Sequence, residues 1–383
     1  MGLEFLQPLD TTLADFAIST PAQALGRKIV LHTQNVFPEL EGVKIALVGV
    51  LDNRGQGDNK THVHLNYIRK ELYGLFPGNW EMGIADLGDI HPGETMQDTY
   101  YAVKSIVADL IKAGIIPVVI GGSQDVAYGV YRGYDKLEQM VNYVSVCSRF
   151  NFGKEDDVMS ASSYVTKMIV EEPHNLFNYA NLGYQTYFNS QEEIDLIEKL
   201  YFDALRLGEV SKDLTIAEPV FRDADFVSFD MGAVKSGDSG NIVKFMPNGF
   251  DGKEICTLAR YAGISDKVSA FGIFNHYDTK QESVLIAQLL WYFIEGVHYR
   301  SNEFPFGSRE NFIKYIVPFE DEELIFYKSD KTERWWIELI TGNRADNKQK
   351  NTALLPCSYK DYLAACNNEY PERLWKAQRK NII

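Results

Sequence analysis

From about residue 43 to residue 297, short β-branched, apolar runs alternate with longer stretches of helical periodicity, and nothing else in the chain restricts its fold as strongly. Repeated βαβ units read this way in sequence, so the alternation predicts a three-layer α/β/α protein with a mainly parallel sheet. KIALVGVLD (44–52) opens the series. Leu65, Ile68, Leu72 and Leu75 then recur at helical spacings, and MGIADL (82–87) forms a second strand. Val103, Val107, Leu110 and Ile111 line one face of the next helix, and Gly114 is placed to end it. IIPVVI (115–120) runs directly into Gly121-Gly122-Ser123-Gln124-Asp125. Later units are VNYVSVC (141–147), a helix expected from Gln191 to about Leu207, DFVSFD (225–230), a helix from Gly252 to Tyr261 and VSAFGIF (268–274). The stretch from Ile286 to Ile294 reads as a buried helix.

A chain of 383 residues, 45% hydrophobic, has enough apolar surface for one large domain with an extension. The expected division is an N-terminal segment (1–40) packed on the core, an α/β domain (41–299) and a C-terminal extension (300–383). In the extension aromatic and charged residues crowd together without βα alternation. Trp335, Trp336 and Trp375 are expected to be its packing anchors, the alternative being a protein-binding surface.

A net charge of -15 disfavours nucleic acid as a partner, and Lys376, Arg379 and Lys380 read as solvated charge near a helix end. No apolar run reaches the roughly 18 to 20 residues needed to span a bilayer, and the N-terminus has no signal-peptide pattern. Four scattered cysteines imply neither a zinc finger nor a disulfide scaffold. A cytoplasmic location with reduced thiols is expected.

Three strand ends carry the chemistry: VVIGGSQD (118–125), VSVCSRFNFG (144–153) and VSFDMGAVKSGD (227–238). Their order and spacing resemble the ureohydrolases, the family of arginases, agmatinases and formimidoylglutamases, over roughly residues 40 to 297. The RYAGIS and WYFIEG runs (260–265, 291–296) and the paired tryptophans resemble a formimidoylglutamase-like branch found in Bacteroidetes. The corresponding family patterns are G-G-D-H, D-x-H-x-D and S-x-D-x-D. They hold two Mn²⁺ ions about 3.5–4 Å apart, which acidify a bridging water for attack on a guanidino or formimino carbon.

Transferred residue by residue, most of that set is replaced. The first histidine position is Gln124; the second motif becomes Cys147, Arg149 and Asn151; in the third, Asp230 is kept and the next ligand is Gly232. The family's substrate-orienting glutamate falls at Asn275. Asp230 is thus the only retained ligand, a binuclear site is not expected, and no cofactor is expected, Mn entering only through the resemblance. Alternation points residues 147, 149 and 151 of an extended segment to one side, which leads to the expectation that Arg149 fills part of the vacated site and pairs with Asp230.

Other readings of these residues stay open. Cys147 is either a small buried thiol or a nucleophile with His276 as base, and Cys147, Asp230 and His276 together could hold one Zn²⁺. Asp125 and Asp238 flank the expected cavity, where they bind a basic ligand or balance Arg149. His62, His64 and His91 read as solvated or loop residues, and Glu155-Asp156-Asp157 as a solvated acidic loop or a cation site. The leading functional reading is a ureohydrolase-fold protein that has lost metal-assisted hydrolysis and serves as a binding, regulatory or assembly component, with a protein partner or homo-oligomer. The alternative is an active hydrolase of amidine C–N bonds, such as that of N-formimidoyl-glutamate, built from Asp230, Asp125 and Gln124.

Overall fold

A computed structural model describes residues 2–57, 65–137, 139–154, 158–277, 279–303, 310–320, 322–341 and 351–380. His62, His64 and the run Glu155-Asp156-Asp157 lie outside the described residues. The β-branched runs form a ten-stranded sheet: β1 (Leu6–Gln7), β2 (Val30–Leu31), β3 (Val43–Val50), β4 (Gly83–Ile90), β5 (Ile116–Ile120), β6 (Val141–Val146), β7 (Leu176–Tyr184), β8 (Asp203–Arg206), β9 (Phe226–Asp230) and β10 (Ala270–Phe274). Its order is β1-β4-β3-β5-β10-β9-β6-β7-β8, with β2 beside β4. Only the β1–β4 pairing is antiparallel among the described pairs of this sheet.

Strand periodicity divides the core in two. Ile45 and Leu47 of β3 join a cluster with Leu72, Leu258 and Leu289, whereas Ala46, Val48 and Val50 join one with Val103, Val107 and Val130. Helices Asn66–Gly74, Gly252–Ile264 and Lys280–His298 thus cover one face, and Met96–Lys112 and Val126–Arg132 cover the other. Both faces are dry because parallel strands are crossed over by helices. Each fully buried large apolar side chain contributes about 1.5–3 kcal/mol.

The helix expected from Gln191 to about Leu207 is corrected by the structure: it stops at Lys199. Tyr201 takes a left-handed conformation (φ 54°), and β8 then pairs with β7 before a short helix at Leu207–Lys212. Helical periodicity hid this turn because Leu205 and Leu207 continue the apolar spacing across the break.

The C-terminal part forms a second, antiparallel sheet, β11 (Phe312–Phe319), β12 (Glu322–Ser329), β13 (Trp335–Thr341) and β14 (Asn351–Cys357), followed by helices Tyr359–Cys366 and Glu372–Lys380. Trp335 stacks on Tyr362 at 4.8 Å, and buried Trp336 lies under the Arg222 guanidinium at 4.6 Å. Arg222, on the helix Glu218–Arg222, donates to the carbonyls of Trp335 (3.0 Å) and Cys357 (2.8 Å). Trp375 anchors less: it is 43% exposed, edge-on to Tyr201. Nor is the basic cluster simply solvated. Lys376 reaches Asp203 at 3.9 Å and Lys380 bonds the Asn178 side chain, so both sit on β7 and β8, and only Arg379, exposed over Trp375, fits the expectation. No helix among the described residues is long and apolar enough to cross a membrane.

Candidate functional site

The central order β5-β10-β9-β6 sets the carboxyl ends of four adjacent parallel strands side by side, the position at which an open α/β sheet places its site. β5 ends in Gly121 and Gly122 with φ of 92° and 77°, values a side chain resists. A Cβ on Gly121 would also lie 2.8 Å from the Val50 carbonyl. The turn delivers Gln124 to the sheet end, but its amide points inward, donating to Ser228 Oγ (3.0 Å) and the Tyr164 hydroxyl (3.3 Å). Tyr143 closes this buried hydroxyl network through Ser228 and Tyr164, and burial pushes its phenol up to about 12.

Asp230, at the end of β9, is 8% exposed and fully engaged by neutral donors. Its Oδ1 accepts from Gly232 N (2.7 Å), and its Oδ2 from Asn275 Nδ2 (3.0 Å) and the Cys147 thiol (3.3 Å). Burial raises its pKa above the ordinary carboxylate value, against the pull of these hydrogen bonds. Asn275 takes a left-handed conformation (φ 58°) that asparagine tolerates, and its carbonyl is fixed by Gln124 N (2.9 Å) and Gln56 Nε2 (2.6 Å). Lys244 in turn donates to Gln56 Oε1 (3.1 Å). A hydrogen-bonded chain therefore runs from an exposed ammonium through two amides to the buried carboxyl.

The expected Arg149–Asp230 pair does not form. Past Val146 the chain leaves the extended conformation, and Asn151 turns left-handed (φ 59°), so side chains 147, 149 and 151 do not share a side. Cys147 and Asn151 meet at 3.4 Å over Asp230, while Arg149 is exposed. Its guanidinium donates to the Phe188 carbonyl (3.1 Å) and lies 4.4 Å from that ring's centre. Asp230 already has its donors, and an arginine that stays in water avoids the cost of desolvation.

Cys147 and His91 agree with one of their expected settings, whereas His276, Asp125 and Asp238 do not. Burial and the neighbouring Asp230 carboxyl push the Cys147 thiol far above its ordinary value, which makes it a hydrogen-bond donor and a poor nucleophile. His276 is buried with neither ring nitrogen hydrogen-bonded, and burial lowers its pKa to about 4. Neither nitrogen is bonded to Cys147, so it is not placed as that thiol's base, and Cys147, Asp230 and His276 form no group suited to a metal. Asp125 does not face the cavity: it is covered by Tyr100, which bonds it, and by Gly55, where a Cβ would lie 1.9 Å from the carboxylate. Asp238 accepts from Gly252 N (2.6 Å) at a helix start. His91 is an exposed loop residue.

A cleft of about 410 Å³ opens above Asp230, walled by Gln56, Arg149, Asn151, Gly232, Lys244 and Asn275 among others. A second hollow of about 450 Å³ continues from it past Arg149, Asn151 and Ser162. Sequence reasoning missed Gln56, Lys244 and Tyr164. None stands in a motif, and Gln56 and Lys244 are brought in by loops far from the strands they serve.

The donor set does not fit a pair of Mn²⁺ ions. Hard divalent ions need several carboxylate oxygens or imidazole nitrogens, whereas here one carboxyl is surrounded by a protonated thiol, an amide NH₂ and a backbone N–H. No group of three His, Cys, Asp or Glu side chains suited to a metal occurs among the described residues.

A polar cleft at the ends of four central parallel strands, entered by motifs in ureohydrolase order, defines an arginase-type α/β protein. A sequence model of the Arginase family matches residues 43–294, and the chain belongs to that family. It is similar to the formimidoylglutamase of Streptococcus gordonii, 24% identical over 63% of this chain and 80% of that protein. A Staphylococcus epidermidis formimidoylglutamase is 27% identical over 64% of this chain and 84% of its own length. In fold it is similar to Trypanosoma cruzi formiminoglutamase, solved with Mn²⁺ (TM-score 0.60, 17% identity, 68% of this chain and 96% of that one). The Bacillus subtilis formimidoylglutamase structure gives a TM-score of 0.61 at 16% identity, covering 69% and 90%.

Proposed function

We propose that this formimidoylglutamase-like member of the Arginase family has lost binuclear, Mn-dependent hydrolysis and uses the strand-end cleft to bind a small polar molecule, as a binding or regulatory component. One observation carries this reading: both oxygens of Asp230, the single retained ligand of the resemblance, are held by neutral donors with no second carboxylate or imidazole among their partners. The test is elemental analysis after purification in Mn²⁺, with thermal melts with and without the ion, since specific binding to the native state raises the melting temperature. No stoichiometric metal, no upward shift and no hydrolysis of N-formimidoyl-glutamate are expected. About two equivalents of Mn²⁺ with turnover would establish the second reading, an amidine hydrolase with a non-standard site, which the open approach to Asp230 favours.

A further inference from the structure

The loop that carries Lys244 to the cleft ends in Asn248-Gly249, the single Asn-Gly pair in the sequence. An asparagine followed by glycine is chemically labile, because no Cβ on the next residue obstructs its main-chain nitrogen from reaching the asparagine side-chain carbon. Here each residue has a structural reason to be present. A Cβ on Gly249 would lie 2.5 Å from the Ala233 carbonyl and 2.8 Å from Lys235 N. Asn248 Nδ2 donates to Gln185 Oε1 and to the Tyr187 hydroxyl (3.1 Å each), and the Asn248 carbonyl accepts from Gln185 Nε2 (3.2 Å). These bonds latch the loop to the chain just past β7.

Three features leave the pair open to reaction. Asn248 is exposed, so water reaches its side-chain amide. Among the described residues no donor meets its Oδ1, so the oxygen on which negative charge develops is left to solvent. The Gly249 N–H has no acceptor among the described residues, so no hydrogen bond is lost when it is deprotonated. The surroundings leave little room for the products. Phe250 is fully buried, its N–H donates to the Ala233 carbonyl (2.9 Å), and its carbonyl accepts from Lys235 N (3.0 Å). Its ring is so close to Gly183 that a Cβ there would lie 2.4 Å away. On the latch side, Gln185 N donates to the Ser148 carbonyl (3.0 Å), next to Arg149 on the cleft wall.

We infer that Asn248-Gly249 is a self-modification site whose conversion to aspartate or isoaspartate releases the Lys244 loop from Gln185. Gly249 N attacks Asn248 Cγ, and the new C–N bond closes a cyclic imide. The Gly249 proton passes to water, and Nδ2 takes a proton and leaves as ammonia. Water then opens the ring, at Cγ to give aspartate or at the main-chain carbon to give isoaspartate. A carboxylate cannot donate to Gln185 Oε1, and isoaspartate adds a methylene to the main chain shortly before the fixed Phe250. Water is the only co-reactant, and the chemistry is independent of any hydrolysis in the cleft.

In the test the full chain is aged in mildly alkaline buffer at physiological temperature, then followed by peptide mass spectrometry and by brief trypsin digestion of the native protein. The tryptic peptide 245–253, bounded by Lys244 and Lys253, is expected to convert several-fold faster than any other asparagine-containing peptide, with isoaspartate in excess. Trypsin is expected to cut the aged native protein after Lys244 several-fold faster than the fresh protein, since local opening exposes the bond. Aged Asn248→Gln, whose longer side chain closes an imide ring far more slowly, should be cut like its own fresh sample. The site is overturned if peptide 245–253 keeps its amide or converts no faster than the others. The release is overturned if the aged parent is cut after Lys244 no faster than the fresh, or if aged Asn248→Gln gains the same susceptibility.

Discussion

Asp86 and Asp230 are both buried on strands of one sheet, and the protein treats them in opposite ways. Asp86, 0% exposed, takes two hydrogen bonds from Arg69 (2.8 and 3.2 Å), one from Tyr73 (2.8 Å) and one from Gly88 N (3.1 Å). Arg69 also bridges to Asp89 at 2.8 Å. Asp230 receives no cation at all among its partners, only a thiol, an amide and a backbone N–H. In the first case a permanent charge is neutralised at contact distance. In the second the Lys244 ammonium stays at the rim, joined to the carboxyl through two side-chain amides.

The contrast can be broken most forcefully at Arg69. Arg69→Met leaves Asp86 and Asp89 without their cation and should cost about 3–5 kcal/mol, read from urea unfolding. A loss below about 1 kcal/mol, the range of surface pairs, would erase the distinction between the two aspartates. A smaller effect sharpens it from the uncompensated side. Burial pushes Glu282 up to about 8 from 4.5, with Tyr277 N (2.5 Å) as its stabilising donor. A carboxyl whose folded pKa is raised keeps its proton in the native state after the unfolded chain has lost it. Stability therefore falls as pH rises from about 4.5 to about 8. Melts of Glu282→Gln and the parent should coincide near about pH 5 and separate toward pH 8, the variant higher by roughly 2–4 °C per kcal/mol of penalty removed. Curves that stay parallel would refute the buried penalty.

The smallest expected effect concerns Cys147. Cys147→Ala removes one weak donor from Asp230 and should cost about 1 kcal/mol. Under native conditions iodoacetamide should modify exposed Cys366 and spare buried Cys147, Cys256 and Cys357, as read by peptide mass spectrometry. Rapid labelling of Cys147 would restore it as a nucleophile.

The sheet was legible because both faces of its strands are dry, so each reads as a continuous apolar run, and the glycine pair after β5 marks a turn that only glycine makes easily. The last two strands of the order, β7 and β8, were less so. β7 contains Asn178 and Asn181 among its apolar residues, and β8 is four residues long. At the site, sequence located Asp230, Cys147, Asn151 and Asn275 at one place, because their strand ends are neighbours in the sheet. It misjudged Arg149, since period-two alternation holds only while the backbone is extended, and the strand ends at Val146. Gln56 and Lys244 were invisible because loop-to-strand contacts across such separations leave no periodic trace.

Arg222 gives the C-terminal sheet a peculiar kind of attachment. It grips the main-chain carbonyls of Trp335 and Cys357, on the neighbouring strands β13 and β14, and its guanidinium lies over the ring of Trp336. Every residue carries a carbonyl, so this grip is indifferent to most of the amino acids in those strands. The appended sheet is free to change its outer surface, residue by residue, without coming loose from the α/β body. It can thus acquire new contacts while Arg222 keeps its hold.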